Sequence, residues 1–286
     1  MPNYNKSKYI VSAIESVLSQ TMQDFELLVV DDASTDDSAK IVESMSRKDS
    51  RVSLLRQRVR KGVSRSRNVG ILESKGNIIT FLDSDDLYAA NSLESRHNAI
   101  LGSPSPSIVY SDFWLLDGNG RTLPHWEERS CTSSGMIFKE FLKDGMHVQA
   151  NLMLPRNLLD EVGLYDESLS WGEDTDMIFR LARIYPFVYV NQQLYGYRLH
   201  TGNTMSSMST RDKLVAKTPI IEKHYRANLG ILDYGTRRVV SRRLVVNYVE
   251  ACKYRRALAN AVWSPEMFTW YLRFMGRRVL RRGPRS

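Results

Sequence analysis

Two short apolar runs, each ending in a knot of acids, constrain this 286-residue chain more than any other feature. Phe25–Val30 (FELLVV) runs into Asp31-Asp32-Ala33-Ser34-Thr35-Asp36-Asp37, and Ile78–Leu82 (IITFL) runs into Asp83-Ser84-Asp85-Asp86. A short, nearly continuous apolar run marks a strand buried on both faces, as in a parallel sheet. Helical patterns alternate with these strands. Tyr9, Ala13, Ile14, Val17 and Leu18 fall at helical spacing and predict a helix over Lys8 to Gln20. Ser34–Ser38 offers N-caps for a second helix through Met45, Val52–Leu55 reads as a strand, and a helix follows Gly62–Ser64 to about Ser74. Asn91–Leu101 reads as a further helix. The alternation predicts an α/β fold with a mostly parallel, doubly wound sheet and helices on both faces.

Other classes are excluded by composition. Two cysteines and no Cys/His cluster offer no disulfide framework and no structural zinc, and a reducing compartment is the simpler setting. No run approaches the length of a membrane span, and the first residues are too polar for a secretory signal. The net charge of +8 is unevenly spread: residues 1–210 hold 22 Lys+Arg against 27 Asp+Glu, and residues 211–286 hold 18 against 5. An acidic body over 1–210, divided at the turn-rich Gly102–Pro106 into 1–102 and 103–210, should precede a basic helical extension over 211–286.

Ligands of an open parallel sheet bind beyond the carboxyl ends of its strands, so the two acidic clusters should converge on one crevice. Crowded carboxylates repel and favour a shared cation or ligand hydroxyls. Either cluster alone also reads as a turn or the start of a helix, because Asp, Ser and Thr are common there. Both together, each directly after a buried strand, point to a site.

Pro2-Asn3-Tyr4-Asn5, SVLSQTMQDFELLVVDDASTD, GVSRSRNVGILESKGNIITFLDSDD and Gly172-Glu173-Asp174 closely resemble glycosyltransferase family 2 over residues 2–205. That resemblance implies a GT-A, Rossmann-like fold and an inverting, metal-dependent, hexosyltransferase-type enzyme acting on a nucleotide-sugar donor, a UDP-sugar above all. Pro2, Tyr4, Asp31, Asp32, Arg67 and Asp83 match donor-binding positions, and Asp85 matches the metal-holding acid of an Asp-x-Asp motif. His200 matches a position near the metal or diphosphate, the metal being Mg²⁺ or Mn²⁺. Asp174 matches the catalytic base, with Glu173 beside it and Trp171 a candidate platform for the acceptor sugar. A glycan or lipid-linked acceptor in cell-surface polysaccharide synthesis is implied.

The chemistry supports these roles. A divalent cation neutralises the charge developing on a diphosphate leaving group, and a base must reach the acceptor hydroxyl on the opposite face of the donor sugar. The family motif follows a hydrophobic strand, whereas Pro2 follows Met1 directly. The first strand is therefore expected to be missing, the true start lying upstream or the chain being a truncated fragment. An inactive nucleotide-sugar-binding scaffold is the alternative reading. In the basic tail, a helix from Glu266 to Arg282 sets Phe268, Leu272, Met275 and Val279 beside Arg273, Arg277, Arg278, Arg281 and Arg282. An apolar stripe flanked by cations suits an anionic membrane surface and not nucleic acid. A cytoplasmic protein, peripheral at the inner face of the cell membrane, is expected.

Overall fold

Leu27, Val29 and Val30 are buried, and the apolar run they belong to forms the central strand of a parallel sheet, as its composition requires. The computed structural model describes residues 1–124, 132–144, 151–203, 208–261 and 265–280. It divides into two units, Met1–Ile137 with Met146–Asn203, and Phe138–Gly145 with Thr204–Ser286.

The first unit contains two sheets. One joins β1 (Pro2–Asn3), β2 (Leu27–Asp31) and β3 (Val52–Arg56), all parallel, with Pro2 opposite Val30 and Leu27 opposite Val52. Helices α1 (Ile10–Leu18) and α2 (Ser38–Ser46) connect these strands, and α3 (Val63–Glu73) follows β3. Helix α1 buries Ile10, Ala13, Ile14 and Val17, the single apolar stripe expected of an amphipathic helix. The second sheet contains β4 (Ile78–Thr80), β5 (Leu87–Tyr88), β6 (Ile108–Leu116), β7 (Met153–Pro155) and β8 (Phe187–Arg198), in the order β4-β7-β6-β8-β5. Helices α4 (Ser92–Leu101), α6 (Asn157–Val162) and α7 (Glu173–Ile184) complete this unit. One core of Ile14, Val29, Leu82, Val109, Phe113 and Tyr195 serves both sheets.

One expectation needs correction. The second sheet is mixed: only β6 and β8 run parallel, while β4–β7, β6–β7 and β5–β8 are antiparallel. Apolar periodicity reports that a strand is buried and is blind to its direction. Two residues, β1, pair with β2, and a hydrogen bond from the Val30 amide to the Met1 carbonyl extends that pairing to Met1. Strands β1 and β4 are edge strands of their separate sheets.

The second unit is helical: α5 (Phe138–Asp144), α8 (Thr210–Ala227), α9 (Tyr234–Glu250), α10 (Tyr254–Ala261) and α11 (Pro265–Leu280). Ser209 and Asp233 cap α8 and α9 by accepting the amides of Asp212 and Thr236. Glu222 of α8 gathers the Tyr248 hydroxyl, Asn260 Nδ2 at 3.1 Å and Arg226 Nε at 2.8 Å, tying α8 to α9 and α10. Helix α11 turns Met267 and Tyr271 inward and leaves Phe268, Trp270 and Leu272 exposed. Among the described residues, no helix is long and apolar enough to cross a membrane. The side chains of Met275, Val279, Arg277 and Arg278, and all of Arg281 and Arg282, lie outside the described residues.

Candidate functional site

Strand β2 delivers Asp31 and Asp32, and both are buried. Asp31 accepts Asn3 Nδ2 at 2.7 Å and the Ser34 amide at 3.1 Å, which joins β1 to the loop after β2. Asp32 Oδ1 accepts Gln57 Nε2 at 3.0 Å and the Lys61 amide at 2.7 Å, while Oδ2 accepts the Gly62 amide at 2.8 Å. This carboxylate holds the loop that leads into α3. Between the strand and α2, Ala33 adopts φ 59°, a left-handed conformation that costs a non-glycine residue about 1–3 kcal/mol and gathers at functional sites. Asn5 does the same at φ 52°, and its Oδ1 accepts the Thr35 amide at 2.8 Å, clasping the two loops together. Pro2 is buried in β1. Tyr4 is half-buried, with the Arg60 guanidinium 4.0 Å over its ring.

Beyond β4, the Asp86 amide bonds the Asp83 carbonyl at 3.1 Å and closes a turn. Its three carboxylates point to different partners. Asp83 Oδ1 meets Arg67 Nη2 at 3.0 Å. Asp85 Oδ2 meets Lys6 Nζ at 2.5 Å and His200 Nε2 at 3.0 Å. Asp86 is buried, accepting the Tyr195 hydroxyl at 2.7 Å and the Arg198 amide at 2.8 Å. Burial, then the neighbouring Asp85 and Asp83, push the Asp86 carboxyl well above the usual range, against those two hydrogen bonds.

Arg67 is the hub of the site. Its side chain is buried on α3 and spans Asp83 on one side and Glu173 on the other, Nη1 reaching Glu173 Oε1 at 2.7 Å. Burial works against its charge, but Asp83, Tyr165, Glu173 and Asp174 outweigh burial and raise its pKa further. Glu173 is held above the usual carboxylate range by burial and then by Asp174, with Arg67 opposing. Gly172, at φ 80°, turns the chain into α7, so Glu173 and Asp174 open that helix. Asp174 is half-buried, and its Oδ1 accepts the Thr175 amide at 2.6 Å. Among the described residues, its Oδ2 accepts no hydrogen bond. Trp171 is half-buried just before this corner.

Asp83, Arg67 and Glu173 thus form one connected group, with Asp174 next to Glu173 in the chain, and Asp85 with His200 forms a second that leaves the same turn. Sequence reasoning missed Lys6, Asp86 and Arg198. The signal for Asp86 was membership of the acidic cluster. Lys6 offered none, because a lone lysine in a loop reads as solvated.

The donor chemistry fits a divalent cation in part. Asp85 Oδ2 and His200 Nε2 converge at 3.0 Å and supply the oxygen and imidazole nitrogen that Mn²⁺ or Mg²⁺ accepts, provided phosphate oxygens complete the shell. Among the described residues no three His, Cys, Asp or Glu side chains cluster as a ready-made site. The third group on Asp85 is the Lys6 ammonium.

Comparison with known proteins adds an independent line. A family model described as Glycosyl transferase family 2 matches residues 1–163. The chain is 27% identical over 269 residues to glycosyltransferase GlyG of Streptococcus pneumoniae serotype 4, covering 90% of this chain and 88% of that protein. Among solved structures, S. aureus TarS 1–349 in complex with UDP-GlcNAc aligns with a TM-score of 0.65 at 20% identity, over 87% of this chain and 71% of that one. The mannosyltransferase PcManGT from Pyrobaculum calidifontis, in complex with GDP-Man and Mn²⁺, aligns with a TM-score of 0.61 at 16% identity, over 99% of this chain and 79% of that one. At such identities the two structures speak for the fold alone: α/β, with mixed sheets and C-terminal helices.

Proposed function

The chain belongs to glycosyl transferase family 2, and on that premise we propose that it moves a sugar from a nucleotide-diphosphate donor to a glycan or lipid-linked acceptor, with inversion at the anomeric carbon. One observation carries this reading. Arg67 physically couples the acidic turn after β4 to the helix corner that presents Asp174. A donor held at the turn and a base held at the corner are then fixed with respect to each other, which supplies the positioning that group transfer requires.

Each residue has a defined task. Asp31 and Asp32 shape the loops of the nucleotide pocket that Pro2 and Tyr4 open. Asp83, oriented by Arg67, faces the donor. Asp85 and His200 would hold Mg²⁺ or Mn²⁺, whose Lewis acidity neutralises charge on the departing diphosphate. Asp174 takes the proton of the acceptor hydroxyl through Oδ2 while Oδ1 stays anchored to the Thr175 amide. Attack from that face displaces the diphosphate on the opposite one. Glu173 and Trp171 flank the acceptor.

The donors bound to TarS and PcManGT, UDP-GlcNAc and GDP-Man, support a nucleotide sugar here, and a UDP-sugar is our first choice. The exposed Phe268, Trp270 and Leu272 of α11 support attachment to an anionic membrane surface, which suits cell-surface polysaccharide synthesis at the cytoplasmic face. A second reading, a nucleotide-sugar binder without turnover, is favoured by the internal pairing of Asp83 with Arg67 and of Asp85 with Lys6. Incubating the protein with a panel of UDP- and GDP-sugars, with Mn²⁺ and candidate acceptors, separates the two. Nucleoside diphosphate release with a sugar-bearing product supports transfer, whereas saturable donor binding without release supports the binder.

A further inference from the structure

We propose that Lys6 is a donor-sensing latch: its ammonium occupies the Asp85 carboxylate in the donor-free protein and transfers to the diphosphate when the donor and its divalent cation arrive. This rests on the reading above, in which Asp85 and His200 hold that cation.

The geometry points to a closed, metal-excluding state. Asp85 Oδ2 receives Lys6 Nζ at 2.5 Å and His200 Nε2 at 3.0 Å, and all three side chains are largely shielded from water. The Gly202 amide meets His200 Nδ1 at 3.1 Å, with the other ring nitrogen, Nε2, turned toward Asp85. Lys6 and His200 both converge on the carboxylate oxygen that a metal would need. A divalent cation added to this arrangement would share one carboxylate with an ammonium, and like charges in so shielded a place repel strongly.

The release path is local. The Lys6 amide is pinned to Ser38 Oγ at 2.9 Å, so the backbone stays while the four-carbon stem swings. An ammonium is a mobile point charge with three donors, well suited to leave a carboxylate for the oxygens of a diphosphate. The other acids of the turn offer no competing seat. Asp83 is engaged by Arg67, and Asp86 by Tyr195 and the Arg198 amide. Lys6 is thus both a guard on the cation position and a donor-binding residue.

Mn²⁺ binding to the full chain, followed by electron paramagnetic resonance of the free ion, tests this without any turnover. Wild type should bind Mn²⁺ weakly alone and about tenfold or more tightly with UDP or GDP. Lys6→Met should bind Mn²⁺ alone about tenfold more tightly than wild type, and nucleotide should enhance its binding less. Lys6→Gln provides a second neutral variant if Lys6→Met fails to fold in a thermal melt, and Lys6→Arg should exclude the ion as wild type does. Equal Mn²⁺ affinity without nucleotide in wild type and the neutral variants overturns the latch and leaves the metal reading intact. Absence of Mn²⁺ binding in every protein, even with UDP or GDP, removes both.

Discussion

Replacing Arg67 with methionine tests the hub of the site. The substitution leaves Asp83 and Glu173 facing each other across a buried gap. Removing one partner of a buried ion pair costs about 3–5 kcal/mol, because the charge left behind has no compensation. Asp83 has a side chain 33% exposed and is screened by water, so it contributes little; Glu173, at 12%, carries most of the cost. The lower end, about 3 kcal/mol, is therefore expected for Arg67→Met at about pH 8. At 2–4 °C per kcal/mol for a unit of this size, that is a fall in melting temperature of roughly 6–12 °C. The effect has a definite pH sign. Burial and Asp174 already raise the Glu173 carboxyl in the folded state, and Arg67 is what opposes them. Without Arg67, the folded form holds its proton to higher pH than the unfolded chain does, so stability falls as pH rises through that window. The cost should be small near about pH 5 and largest near about pH 8, and Arg67→Lys should fall between, since a point charge cannot bridge both acids. Urea denaturation at the two pH values measures this. A cost below about 1 kcal/mol at the higher pH, or an equal cost at both, refutes the reasoning.

Two further outcomes follow from packing and surface. A Cβ on Gly196 of β8 would lie 2.5 Å from the Trp114 ring on β6, so Gly196→Ala should cost about 1–3 kcal/mol in denaturant unfolding through overpacking; an unchanged midpoint contradicts this. Phe268→Glu with Leu272→Glu alters only the exposed face of α11 and spares the buried Met267 and Tyr271. That double variant should lose flotation with anionic vesicles that the wild type retains, and equal flotation removes α11 as the anchor.

The parts of this molecule that local sequence foretells are those whose residues satisfy one another nearby. FELLVV announced β2 because burial on both faces demands a continuous apolar run, and the stripe from Ile10 to Val17 announced α1 for the matching helical reason. The acidic turn Asp83–Asp86 was visible as a cluster, but the direction of each carboxylate was not. Those directions depend on Arg67, Tyr195, Arg198 and His200, which are close only once the chain has folded. Sheet polarity was equally hidden, since β5 and β7 are short and carry no directional mark. Strand β1, two residues long, has no pattern at all. Helix α5, with the short sequence FKEFLKD, carries no local sign that Arg243 Nη1 of α9 will bond the Leu142 carbonyl within the second unit.

The central claim is that Asp174 accepts the acceptor proton in a sugar transfer from a nucleotide-diphosphate donor. Asp174→Asn keeps the size of the side chain and an oxygen for the Thr175 amide, and removes the basicity. Once the donor panel has identified a substrate, donor affinity by calorimetry and turnover by diphosphate release are compared in the wild type and this variant. The account predicts donor affinity within about threefold and turnover lower by about 10²–10⁴-fold. Turnover close to that of the wild type would contradict it.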